Sequence, residues 1–214
     1  MALFGGKAGN SGGNAGAARS SRHSSGWGQM QKHLRAHESL RILDIGPTSA
    51  GNINYVTNLG HSIYMANLVE DAARHEYQII ETEGSNAGKV TYDILRFLKD
   101  NLDFAGRIFD VVTLWDTADY LPEPLVAPVI DRLYEVMEPG GQLLALFHSK
   151  LSGDDTAFSR YHLTATDQLE LQTIGSHPIL QTYTTRQVET LFKKFASNKF
   201  FLAKDTLREV IVIR

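Results

Sequence analysis

Three places in the sequence combine residue types that could do chemistry with neighbours that could present them. The run Asp44-Ile45-Gly46-Pro47-Thr48-Ser49-Ala50-Gly51-Asn52 joins an apolar segment to a helical one through small residues. Small side chains let a ligand approach the backbone, and free N–H groups at a helix start can hold a carboxylate or phosphate. Asp116 follows the apolar run Phe109 to Trp115, and His148 closes the run Leu143 to His148. Where an acceptor O–H or N–H must lose a proton near neutral pH, such groups are the natural bases, and Tyr161 and His162 are further candidates. Each also has an ordinary structural reading. Asp116 could cap the segment beginning at Thr117, Trp115 could be a core aromatic, and each histidine could be a hydrogen-bonded structural residue.

Composition narrows the chemistry. The 214 residues contain no cysteine, which removes disulfides, thiolate metal sites and cysteine nucleophiles and fits a reducing compartment. No apolar run approaches the ~18 residues of a membrane span, and the N-terminus lacks a secretory apolar stretch, so a cytoplasmic protein is expected, with no membrane partner. The net charge of −3 is uneven: residues 1 to 37 carry Lys7, Arg19, Arg22, Lys32 and Arg35 and no acid. The acidic remainder does not indicate a broad nucleic-acid face.

The elements that must position these residues can be followed along the chain. Residues 5 to 28 are rich in Gly, Ser, Ala and Asn, so residues 1 to 37 read as a flexible basic tail. Its alternatives are a solubilising leader, a phosphate-binding arm or a transit peptide. From residue 41, short apolar runs alternate with helical stretches, the pattern of βαβ units around a parallel sheet. Strands are expected at Arg41 to Ile45, Ser62 to Asn67, Val90 to Ile94, Phe109 to Trp115 and Leu143 to His148. Helices are expected over Asn52 to Leu59, from after Asn67 through Glu83, and from Pro124 to a stop at Pro139-Gly140-Gly141. A further helix opens at Thr184, with Gln187 completing a capping box. Phe200 to Ala203 and Val210 to Ile213 are joined too closely for a parallel crossover and must form a hairpin. Residues 149 to 183 read as an insertion in which Tyr161 to Leu163 and Leu169 to Gln172 pair over the site.

In this order the motifs resemble those of the class I S-adenosylmethionine (SAM)-dependent methyltransferases. Asp44 and Gly46 match the acidic-x-Gly-x-Gly-x-Gly loop, whereas Thr48 and Ala50 replace its second and third glycines. Phe109-Asp110-Val111-Val112 with Trp115-Asp116 resembles the fourth-strand motif, Met137-Glu138-Pro139-Gly140-Gly141 the turn after the next helix, and Phe200 to Arg214 the reversed last strand. The resemblance implies an α/β, three-layer, Rossmann-like domain over residues 38 to 214, mostly parallel with an antiparallel C-terminal hairpin. It implies SAM as cofactor, held by Asp44, Gly46, Pro47, Thr48, Gly51, Asn67, Asp93 and Trp115, with Asp116 and His148 toward a small-molecule acceptor. Asn67 stands where the family has a ribose-binding acid, and an amide accepts through one oxygen only, leaving Glu70 as a substitute. Methyl transfer from a sulfonium is a direct displacement and needs no covalent residue. Thr48, Ala50 and Asn67 equally motivate a degenerate binding or interaction domain. A nicotinamide-dependent oxidoreductase is disfavoured by the spacing of Gly46, Ala50 and Gly51.

Overall fold

The computed structural model describes residues 19–83, 85, 87–150, 156–201 and 205–214. Apolar residues alternate along the strands and so divide between two faces. In β6 (Phe109–Trp115) and β7 (Met137–His148), Val111, Leu144 and Leu146 face one cluster, while Val112, Leu143, Ala145 and Phe147 face the other. A six-stranded sheet results, in the order β10-β11-β7-β6-β2-β3. β2 (Arg41–Ile45) pairs in parallel with β3 (Ser62–Ala66) and with β6, and β6 pairs in parallel with β7. The last strand, β11 (Leu207–Ile213), runs antiparallel to both β7 and β10 (Ser197–Phe201). The expected Rossmann-like sheet with its reversed C-terminal hairpin is therefore present.

One face is covered by α4 (Ile94–Leu102), α6 (Glu123–Glu135) and α7 (Thr185–Leu191), whose Phe97, Val129, Leu133 and Val188 are buried. Thr184 caps α7 through the expected capping box with Gln187. The other face carries α1 (Ser25–Ala36) and α2 (Ala50–Asn58), with a second, three-stranded antiparallel sheet ordered β1-β9-β8. β8 (Thr156–Leu163) and β9 (Gln168–His177) are the expected hairpin of the insertion, and Tyr161 pairs with Leu171.

The tail expected over residues 1 to 37 is corrected from residue 19 onward, while its earlier part lies outside the described residues. β1 (Arg19–His23) adds to the edge of β9, and Ser24 caps α1 by accepting from Trp27 N. Trp27, Met30 and Leu34, spaced three and four apart, form an apolar stripe buried against the sheet. Polar composition hid both elements: only Arg22 of β1 is buried, and three large apolar residues suffice for α1.

Three further expectations change. The helix expected through Glu83 ends early: α3 is only Leu68–Ala72, followed by a 3-10 turn, His75–Tyr77, and then β4 (Gln78–Ile80). The third strand, shortened to β5 (Val90–Tyr92), pairs locally with β4 instead of joining the main sheet. Pro139-Gly140-Gly141 does not end α6 but forms an irregularity inside β7, where the β6 register jumps from Met137 to Gln142. There a side chain on Gly141 would stand 2.9 Å from Glu138 O and 3.0 Å from Asp110 O. Among the described residues, no helix is long and apolar enough to cross a membrane.

Candidate functional site

Strand order reverses between β2 and β6, and in an open sheet a ligand crevice belongs beyond the carboxyl ends of the strands at that point. Two environments meet there, divided by the consecutive residues Trp115 and Asp116.

On the β2 side the glycine loop is closed by the protein itself. Asp44, 2% exposed, accepts 2.7 Å hydrogen bonds from Thr113 Oγ1 and from Trp115 Nε1 on one oxygen. Burial raises its pKa against the pull of those donors. Trp115 is held at φ +49°, an unfavourable backbone for a bulky residue that its surroundings must enforce. This turn lays the indole against the loop: a side chain on Gly46 would meet Trp115 Cδ1 at 3.3 Å. The outer face of the indole stacks on Tyr161, with centroids 4.9 Å apart and planes 5° from parallel.

Two side chains of the helix start are engaged as well. Ser49 caps α2 by accepting from Asn52 N and meets His162 Nδ1 at 3.1 Å. The buried Asn52 amide pairs in both senses with β8, donating to Tyr161 O at 2.8 Å and accepting from Leu163 N at 3.0 Å. Of the remaining cradle residues, Pro47 is half-buried and Gly51 exposed. Thr48 Oγ1 and Asn67 Oδ1 are buried without a hydrogen-bond partner. Asp93 instead caps α4 by accepting from Arg96 N at 3.1 Å, and Glu70 is exposed on α3.

On the β6–β7 side lies a cavity of about 670 Å³ whose lining includes Arg22, Asp116, His148, Tyr161 and Asp205. Asp116 is 4% exposed and makes no capping bond to the helical turn α5 (Thr117–Tyr120), so its reading as a cap fails. Its Oδ2 accepts from Tyr161 Oη at 2.9 Å and lies 4.0 Å from His148 Nε2. His148 is fixed from behind, since Asp119 Oδ2 accepts from its backbone N at 2.6 Å and contacts Nδ1 at 2.8 Å. With Nδ1–H directed at a carboxylate, a neutral His148 presents a bare Nε2 to the cavity. Burial raises Asp116 and lifts Asp119 to about 6. Burial alone would lower His148, but the Asp119 hydrogen bond and the charges of Asp116 and Asp119 overrule it and raise the imidazole. The three groups thus hold protons more tightly than they would in water.

Arg22, Asp119, Asp205 and Glu209 complete this neighbourhood and were missed in the sequence. Arg22 donates Nε and Nη2 to Asp205 and Nη1 to Glu209, the last at 2.5 Å. Glu209, 1% exposed, also accepts from Gly26 N at 2.6 Å. An acid within the apolar run Leu207–Ile213 was the available signal, because a charge buried in a strand requires a partner.

A methyl donor with the family's binding mode meets the Trp115 indole at Gly46 in this arrangement. Its amino-acid portion would need the surface of Gly46, against which Trp115 lies, and the start of α2, where Ser49, Ala50, Gly51 and Asn52 line a cavity of about 500 Å³. The unpartnered Asn67 amide oxygen is the one ribose-directed feature retained.

No family model matches the sequence, and no curated protein matches it. Among solved structures, the chain is similar to a SAM-dependent methyltransferase from Methanosarcina mazei, at 14% identity and TM-score 0.48, covering 86% of this chain and 96% of that one. It is likewise similar to a SAM-dependent methyltransferase from Clostridium acetobutylicum, at 14% identity and TM-score 0.48, covering 88% and 90%. A third is the magnesium protoporphyrin IX methyltransferase of Synechocystis with bound SAM, at 13% identity and TM-score 0.44, covering 88% and 80%. What this site does must be argued from its own geometry.

Proposed function

We propose that this chain is a small-molecule binding domain on a methyltransferase-type framework, and that its working site is the cavity of Asp116 and His148 and not the glycine loop. The observation that carries this is the Trp115 indole, hydrogen-bonded to Asp44 and stacked beneath Tyr161 where a cofactor would approach Gly46. Moving it aside would break a buried hydrogen bond to Asp44 and an aromatic stack, each worth on the order of 1 kcal/mol.

Methyl transfer is the second reading, favoured by the sheet topology and by the placement of Asp116 and His148 at strand ends facing a cavity. It requires the Trp115 indole to leave Gly46. Titration calorimetry of the purified chain with SAM and with its demethylated product separates the two. The binding-domain reading expects no saturable heat from either compound and no bound cofactor in the native mass spectrum. One-to-one binding of SAM, lost in Gly46→Val with an unchanged circular dichroism spectrum, would overturn it in favour of methyl transfer.

A further inference from the structure

The polar groups of the cavity specify its ligand. Asp116 and Asp205 line it with one guanidinium, Arg22, and two imidazoles, His23 and His148, while Asp119 and Glu209 stand behind His148 and Arg22. Asp205 and Glu209 engage three nitrogens of Arg22, so they leave Asp116 no hydrogen-bonded cation. Asp119 engages His148 through Oδ2, its Oδ1 being buried without a partner, whereas the exposed His23 faces Asp167 at 3.3 Å. Asp116 is therefore a carboxylate, 4% exposed, that opens on a cavity and accepts from the Tyr161 hydroxyl alone among the described side chains. Across from it, His148 Nε2 stands 4.0 Å from Asp116 Oδ2, beyond hydrogen-bond length.

Asp116 Oδ2 and, 4.0 Å away, His148 Nε2, an acceptor once the imidazole is neutral, are together complementary to a single group that carries several N–H donors and a positive charge. We infer that the cavity binds an organic amine, its ammonium seated between Asp116 and His148 Nε2. Leu171, Ala157 and Leu207 supply apolar wall for the carbon skeleton. An anionic ligand would place a third negative group against Asp116 and Asp205, and a purely hydroxylic one would bring no cation to replace a protonated His148.

The same placement makes binding proton-linked. The ionisable groups facing His148 are Asp116, Asp119 and Tyr120, with Tyr161, Arg22 and Asp205 around the cavity. In the absence of ligand, a protonated imidazole supplies the cation that Asp116 lacks. An incoming ammonium replaces it, so the proton leaves His148 and affinity rises with pH through the histidine's raised pKa, as long as the amine itself stays charged.

This inference rests on the cavity being the working site, and its test differs from the SAM titration. 2-Phenylethylamine and 1,4-diaminobutane, with 3-phenylpropanoate and 2-phenylethanol as shape-matched controls, are titrated into the full chain by calorimetry in buffers of different ionisation enthalpy. At least one amine should bind with net proton release, and the ring nitrogens of His148 should shift toward the neutral form by 15N NMR. Asp116→Asn, which keeps an acceptor for Tyr161, should weaken the amine at least tenfold without moving the melting temperature. No saturable amine binding up to about 10 mM, or proton uptake instead of release, overturns the inference. Binding of 3-phenylpropanoate that depends on His148 overturns the cation while keeping the cavity as the site, whereas SAM binding at the glycine loop overturns the site reading itself.

Discussion

Asp44 and Asp116 end up as opposites although one lies near the carboxyl end of β2 and the other just past that of its neighbour β6. Asp44 is sealed, with Thr113 and Trp115 on its inner oxygen and the loop folded over it. Asp116, next in sequence to the residue that does the sealing, opens on the cavity. What divides them is the three-stranded cap: Tyr161 lies on Trp115 on one side and donates to Asp116 on the other. A site on this framework is thus decided less by the strand ends than by what the opposite layer places against them.

The largest effect should come from unlatching the cap. Arg22→Ala removes the cation between Asp205 and Glu209 and leaves Glu209 buried and uncompensated, which should cost about 3–5 kcal/mol in urea unfolding. A loss below about 1 kcal/mol would show that the cap is held by packing alone.

Next, the two carboxylates should respond unequally to removal. Asp44→Ala strands the Thr113 hydroxyl and the Trp115 N–H inside the protein and should cost about 2–4 kcal/mol. Asp116→Ala strands only the Tyr161 hydroxyl, at a cavity that water can enter, and should cost about 1 kcal/mol or less. Equal losses in the two variants would dissolve the contrast between a sealed and an open side.

The open side also carries a pH dependence, spread over several pH units. Asp119 stands near 6 in the folded protein against 3.8 for an ordinary aspartate, so the native state binds the extra proton. Its contribution is complete below about pH 4 and is lost as pH rises through 6, by at most about 3 kcal/mol. His148, also raised, adds to the loss above its ordinary value of 6.5. Thermal melts should therefore show stability declining from pH 4 to 8, and Asp119→Asn should flatten the lower part of that slope. A slope of the opposite sign would mean that these groups are ionised favourably in the native state.

The main sheet was legible because its cues are local. The runs Arg41–Ile45 and Phe109–Trp115 lie where expected, and the short link before Leu207–Ile213 forced the terminal hairpin. Asp116 and His148 could be placed together because both end strands of that sheet. The cap and the closure were not legible for the complementary reason. β1 is polar at every position, and its order derives from an edge offered by β9 almost 150 residues later. The filling of the cradle depends on the backbone twist at Trp115 and on Tyr161 arriving from the insertion, neither of which leaves a mark in the loop around Gly46.

The ion pair between Arg22 and Glu209 spans 187 residues of sequence. A ribosome releases the first partner long before the second, so the packing of the stripe of Trp27, Met30 and Leu34, begun against β2, β6 and β7, is completed only when the final strand is made. Closing so long a loop is entropically unfavourable and rewards the chain only after the sheet exists, which places the clasp late on the folding route. Weakening it at Arg22 should then leave the refolding rate nearly unchanged and appear almost wholly as faster unfolding, which makes the two ends of the chain the timer of its native lifetime.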